Sequence, residues 1–361
     1  MWYKSSDIKK LPIIELDNLH GYILPHAGTK HTGQILSHTL RFKPKNNFTD
    51  IYILYYPSNN EENIIKGNKK YYHEYYVLWK TLSYICEKHW RLRDINIQGF
   101  NIKNNEIPNK NPNALMVLSV DFSHNLAMNK AIKLENCAAA ALLNKQLENL
   151  SCLKVVDHID TIKTFYDIMP EKTLQWVGRT RSNTLRGVGY LSFLIRDYSD
   201  DVKKDSKGMF VTAYDVNMTK KECLGKWFER WSSKIENDLI NKVISSAKKT
   251  SRLTGGKDLN IPLCCYSITY LYPEKTKRFI RGWHGIRKDA FYLSDVFLEN
   301  TFNNGRWISP NDTIWPRENK FNLNQTFKKL NIKSNKTRKI TNKNYKLYSS
   351  SVLYKDMDLA K

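Results

Sequence analysis

Between Leu24 and Leu40 the chain reads LPHAGTKHTGQILSHTL, which sets His26, His31 and His38 around Gly28 and Gly33. Imidazoles on a glycine-broken loop can ligate a metal or move a proton, because the ring titrates near neutrality and coordinates through either nitrogen. Further on, Asp121 and His124 follow the apolar run at 114–120, and Cys137 precedes four alanines. Two imidazoles and one carboxylate on one face are the ligand set of non-haem iron sites, and His26, His124 and Asp121 supply those donor types. Cys137 follows Asn136, a helix-capping residue type, so it is expected at a helix N-terminus, where the macrodipole favours the thiolate. The same groups have plainer readings. His26 can be a hydrogen-bonded turn residue, Asp121 and His124 can bond backbone at a strand end, and Cys137 can be a small buried apolar group. His31 and His38 read as scaffold, and His73 as a helix-start or surface residue.

Regular elements must carry these groups. IYILYY (51–56) and ALMVLSV (114–120) have the length and continuous apolarity of buried parallel strands. The residues after Thr32 predict a helix with Thr32 as its cap, 73–85 predicts a second, and 136–150 a third with Asn136 as N-cap. GVGYLSFLI (187–195) reads as a closing strand. Strands alternating with helices predict an α/β sheet with helices on its faces. DYSDDVKKDSKG (197–208) is charged, lacks apolar rhythm and ends in glycine, as a linker does. The expected division is a first domain over 1–197, a linker over 198–208, an α+β domain over 209–332 and a basic, mobile tail over 333–361. In the second domain, 209–216 and 263–273 read as strands, and 232–249 as a helix with a Ser233–Glu236 capping box.

A length of 361 residues exceeds one comfortable core and favours two domains. Lys and Arg number 58 against 35 Asp and Glu, a formal charge of +23. That balance makes nucleic acid, bound through a basic surface, one expected partner. The abundance of Lys, Asn, Ile and Tyr also fits AT-rich coding, which raises lysine without any partner. The six cysteines form no CxxC, no zinc-ribbon spacing and no CxxxCxxC cluster motif, which excludes the common zinc and iron–sulfur classes. With no signal-peptide core and no apolar run of membrane length, the expectation is an intracellular, cytoplasmic protein with reduced thiols and no membrane contact.

Pro25-His26-Ala27-Gly28 with Thr32-Gly33 resembles the PHAGYxYxG motif of the Memo family, whose fold is related to class III extradiol dioxygenases. Pro57-Ser58-Asn59-Asn60 stands where that family has GPSHH, and Ser119-Val120-Asp121-Phe122-Ser123-His124 is similar to its SSDFxHxG. Cys137 with the following alanines and leucines is similar to its CGxxPIxxLL, and 187–193 to its last strand. The resemblance covers about residues 10–196. In the second half, Phe210-Val211-Thr212 and Cys223-Leu224-Gly225 resemble the FVTL…LRGCIG core of the AMMECR family. His284 to Lys288, Phe291 to Val296 and Trp307 resemble its later motifs, and Arg252 falls where that family has AAFxDPR. This likeness covers about 205–332.

The Memo resemblance implies a redox-active iron or copper held by His26 and Cys137, and by their own chemistry Asp121 and His124 offer further ligands or catalytic groups. Asn59 and Asn60 replace the family's histidines, and neutral amides are poor ligands for such metals. The AMMECR resemblance implies a substrate- or partner-binding domain, with Arg252, Arg287 and Lys288 able to line an anion-binding cleft. Memo and AMMECR domains occur fused or encoded together, often beside a radical-SAM protein, which is therefore an implied partner. Two functions stay open: a metal-dependent redox enzyme or component of a radical-SAM-associated modification system, and a non-catalytic scaffold that binds protein or nucleic acid.

Overall fold

A computed structural model describes residues 2–58, 63–66, 69–143, 145, 147–148, 151–182, 186–197, 203–215, 221–247, 263–275, 285–287, 291–292 and 346–356. The chain divides into two units, Met1–Tyr198 and Ser199–Lys361. Both are mixed α/β.

In chain order the first unit contains β1 (Ile14–Leu16), β2 (Leu19–Leu24), α1 (Thr29–Leu40), β3 (Phe42–Pro44), β4 (Asp50–Tyr55), β5 (Asn63–Lys66), β6 (Lys69–Tyr72) and α2 (His73–Tyr84). It continues with β7 (Asn96–Asn101), β8 (Ala114–Ser119), α3 (Met128–Leu143), α4 (Ile159–Ile168), β9 (Thr173–Arg181) and β10 (Gly189–Arg196). Its main sheet has the order β7-β4-β8-β2-β10-β9. The first four strands are mutually parallel, and β10 runs antiparallel to both β2 and β9. Every residue of β8 and of β10 is buried, as continuous apolar runs covered on both faces should be. The C-terminal ends of β4, β8 and β2 therefore open along one edge, the place where parallel sheets gather ligand-handling groups.

Helix α1 begins at Thr29 behind Gly28, one turn earlier than a Thr32 cap would put it. Thr32 lies inside the helix, buried, with its hydroxyl on the Ala27 carbonyl. Helix α3 begins at Met128, so Asn136 and Cys137 sit in its interior, not at its start. Its buried residues Ala131, Glu135, Ala138, Ala139 and Leu142 recur at helical spacing. A glutamate within that stripe is tolerated because Arg179 and Arg181 reach it from β9.

The second unit contains β11 (Gly208–Asp215), β12 (Lys221–Trp227), a helix over Ser233–Ala247, β13 (Leu263–Pro273), β14 (Gly285–Arg287), β15 (Phe291–Tyr292) and β16 (Lys346–Asp356). They form one antiparallel sheet in the order β12-β11-β13-β16-β14-β15. The helix packs on β11 and β12 through Leu239, Ile240, Val243 and Ala247. Its cap is Ser232, whose hydroxyl accepts the Ile235 N–H at 3.3 Å. Glu236 does not complete a capping box with Ser233; it accepts from Trp231 Nε1 and Tyr270 Oη. Strand β16 falls in the stretch expected to be a tail. It pairs with β13 along its length, so that segment belongs to the sheet.

Candidate functional site

His26 leaves the C-terminal end of β2, and Ser119 and Asp121 leave that of the neighbouring β8. The His26 backbone N–H donates to Asp121 Oδ1 at 2.9 Å. Its ring is 3 % exposed. Ser119 Oγ lies 3.1 Å from His26 Nδ1 and 2.7 Å from the Glu74 carbonyl oxygen. A carbonyl only accepts, so the Ser119 proton goes to Glu74 and Ser119 accepts the Nδ1 proton. That assigns His26 the Nδ1–H tautomer and leaves Nε2 as the basic nitrogen. Nε2 faces Asp121 Oδ2 at 3.7 Å and Asp157 Oδ2 at 3.6 Å.

Asp157 comes from the turn before α4, and its backbone N–H donates to the Asp121 carbonyl at 2.9 Å. Next to it, His158 has a left-handed backbone, φ 53°, which residues other than glycine seldom adopt. Its Nε2 lies 3.0 Å from Asp157 Oδ1, close but without hydrogen-bond alignment. Tyr56, following β4, stacks on the His158 ring at 4.7 Å. On the other side His73, the first residue of α2, meets His26 edge-on at 5.3 Å and stacks on Trp2 at 4.7 Å. Glu74 fixes the loop after β4 by accepting the Ser58 N–H at 2.8 Å.

Burial and charge pull these groups in opposite directions. Burial dominates at His26 and holds it down at about 4, although the Asp157 and Glu74 carboxylates would raise it. Burial likewise pushes the Asp121 carboxyl up to about 7, against the His124 charge and the His26 N–H that favour ionisation. Asp157 goes the other way. Burial would raise it, but His158 and His26 beside it hold it below the usual carboxylate range. At neutral pH the cluster thus contains a neutral imidazole with a free lone pair, an ionised Asp157 and an Asp121 poised to gain or lose a proton.

Of the four residues expected to converge, His26 and Asp121 meet directly. His124 is exposed, and its charge acts on both Asp121 and Asp157. Cys137 does not join as a thiolate: it is disulfide-bonded to Cys152, and its place inside α3 removes the helix-terminus argument. The expectation of reduced thiols is corrected at this pair. Asp157 and His158 were not singled out from sequence, since an Asp–His dipeptide in a turn has no period or motif around it. His73, expected as a surface or helix-start residue, does start α2 but packs beside His26. His31 is exposed on α1, and His38 is buried edge-on to Phe42.

Among the described residues no group of three or more His, Cys, Asp or Glu side chains is arranged to hold a metal ion. With the Cys137 sulfur bonded to another sulfur, the thiolate that the resemblance implies is missing from the set. Asn59 and Asn60 lie outside the described residues. The donors described do not fit the implied centre, and no step through a metal follows from them.

In the second unit, Cys223 is a strand residue. It lies within β12 opposite Thr212, whose hydroxyl donates to its sulfur at 3.2 Å. Arg287 places its guanidinium over the Trp227 ring at 3.8 Å. Arg252, His284, Lys288 and Trp307 lie outside the described residues.

No protein-family model matches the chain, and no curated protein matches it. Among the described residues no helix is long and apolar enough to cross a membrane.

Proposed function

We propose that the first unit is a Memo-like enzyme domain whose site works by general acid–base catalysis, with His26 Nε2 as base and Asp121 as the exchangeable acid. The observation that carries this reading is the tautomer: Nδ1 is occupied by Ser119, so Nε2 faces two carboxylates with its lone pair available. Asp157 stays ionised and stabilises His26 once the ring takes a proton. His124 and His158 stand beside the carboxylates, where either can relay protons. Efficient proton transfer needs a group that titrates near the working pH, and Asp121 is such a group. The family resemblance adds a radical-SAM partner to the reading, and an AMMECR-like second unit that binds the substrate or partner. Carbon-13 NMR of labelled aspartate tests the core claim. The Asp121 carboxyl is expected to titrate near 7, and a midpoint in the ordinary range near 4 refutes it.

A second reading, a non-catalytic scaffold, is favoured by Asn59 and Asn60 in place of histidines. Under it the +23 charge makes nucleic acid the partner to test, with binding that weakens steeply as salt rises.

A further inference from the structure

We propose that Cys137 and Cys152 form a thiol–disulfide exchange site whose oxidised state clasps Asp157 and His158 against His26. Its consequence for activity rests on the acid–base reading above; the clasp itself does not. Cys137 sits inside α3, a helix fastened to the sheet by its buried stripe. Cys152 sits in the 3-10 turn Ser151–Val155, directly ahead of the two site residues. The path from Cys152 to His158 is short, with Leu153 and Val156 buried along it and His158 stacked on Tyr56. The Val156 N–H closes on the Leu153 carbonyl at 3.0 Å, and the Asp157 N–H reaches the Asp121 carbonyl at 2.9 Å. At the far end His158 keeps a left-handed backbone, a conformation that persists only where its surroundings impose it. The disulfide is the covalent part of those surroundings.

The chemistry suits a dithiol reductant. Cys137 is partly exposed whereas Cys152 is buried, so attack begins at Cys137 Sγ. One thiolate of the dithiol bonds to that sulfur, the bond between the two protein sulfurs breaks, and Cys152 leaves as a thiolate that takes a proton. The second thiol of the dithiol then displaces Cys137. In total the dithiol gives two electrons and two protons and leaves as a disulfide. Cys86 is an internal control: it is buried, its thiol is pushed up to about 12 by that burial, and it stays out of the exchange.

The test uses the full chain, equilibrated with glutathione disulfide or with dithiothreitol. After alkylation and digestion, the oxidised protein is expected to yield the Cys137 peptide linked to the Cys152 peptide. In hydrogen exchange, reduction is expected to speed amides 153–158 by about tenfold or more beyond any change in β8, whose amides report the stability of the unit as a whole. Cys137→Ser is expected to reproduce the reduced pattern without any reductant. Full alkylation of both cysteines after oxidation overturns the proposal. So do equal exchange rates in the two states, and so does a matching rise in β8, which would mean the bond holds the whole unit and not the site. None of these readouts depends on how Asp121 titrates, so failure of the clasp and failure of the acid–base reading are told apart.

Discussion

Ser119 decides which nitrogen of His26 does chemistry. Its own proton is committed to the Glu74 carbonyl, so Ser119→Ala removes the acceptor and lets the ring adopt either tautomer. We expect this variant to retain its fold and to lose activity about ten- to a hundredfold, measured as kcat once a substrate is found. A base titrating near 4 and an acid near 7 give a bell-shaped pH profile with limbs at about those values. Stability has a matching signature. Asp121 is raised, so its contribution is lost as pH climbs from about 4 to 7; His26 is depressed, so its contribution is lost as pH falls from about 6.5 to 4. The two offset over most of that range. Asp121→Asn leaves only the His26 term, so relative to the native chain the variant gains stability on going from pH 4 to 7, by an amount on the order of 4 kcal/mol. Urea denaturation at a series of pH values reads this directly. His26 and Asp121 were legible because a histidine loop and an acid at a strand end are local patterns. Asp157 was not, because only the fold brings it to them.

At the scale of elements, α3 explains why sequence periodicity stops short. Its buried stripe passes through Glu135, and a charge at a core position reads as the end of a helix face. The arginines that license it lie on β9, whose own pattern TLQWVGRTR hides a strand for the same reason. Arg181 donates to Ser123 Oγ and Glu135 Oε1 through one nitrogen, at 2.9 and 3.0 Å. Its other terminal nitrogen reaches the Leu126 and Gly187 carbonyls at 2.9 and 2.7 Å. The fork brackets the loop that carries His124. A Cβ at Gly189 would overlap Glu135 Oε1, so a side chain there would have to push that carboxylate off its arginine partners. Arg181→Met leaves the buried Glu135 with the more distant Arg179 and the Ser123 hydroxyl, and is expected to cost about 3 kcal/mol, the low end for breaking a buried ion pair. Arg181→Lys keeps the charge but not the fork, and should recover only part of that loss. The disulfide closes a loop with a sequence separation of 15. Its loss is expected to lower the stability of the oxidised protein by about 3 kcal/mol on the chain-entropy account. Denaturation with and without reductant measures it.

For the molecule as a whole, the division into two α/β units could be read from the charged stretch at 197–208, and β13 from its apolar run at 263–273. Strand β16 could not be read in the same way. Its central SSS looks like a polar tail, and its strand character comes from partners far away in sequence. Removing residues 346–361 takes a strand from the middle of the sheet, so the second unit is expected to lose its cooperative unfolding transition while the first keeps its own. That position also orders assembly. Among the described strands, β16 lies between β13 and the pair β14–β15 in the sheet. Among the described residues, β14 and β15 therefore have no strand of the sheet to join until β16 arrives. Such long-range closure slows folding, so β14 and β15 should be among the last strands of the second unit to gain protection.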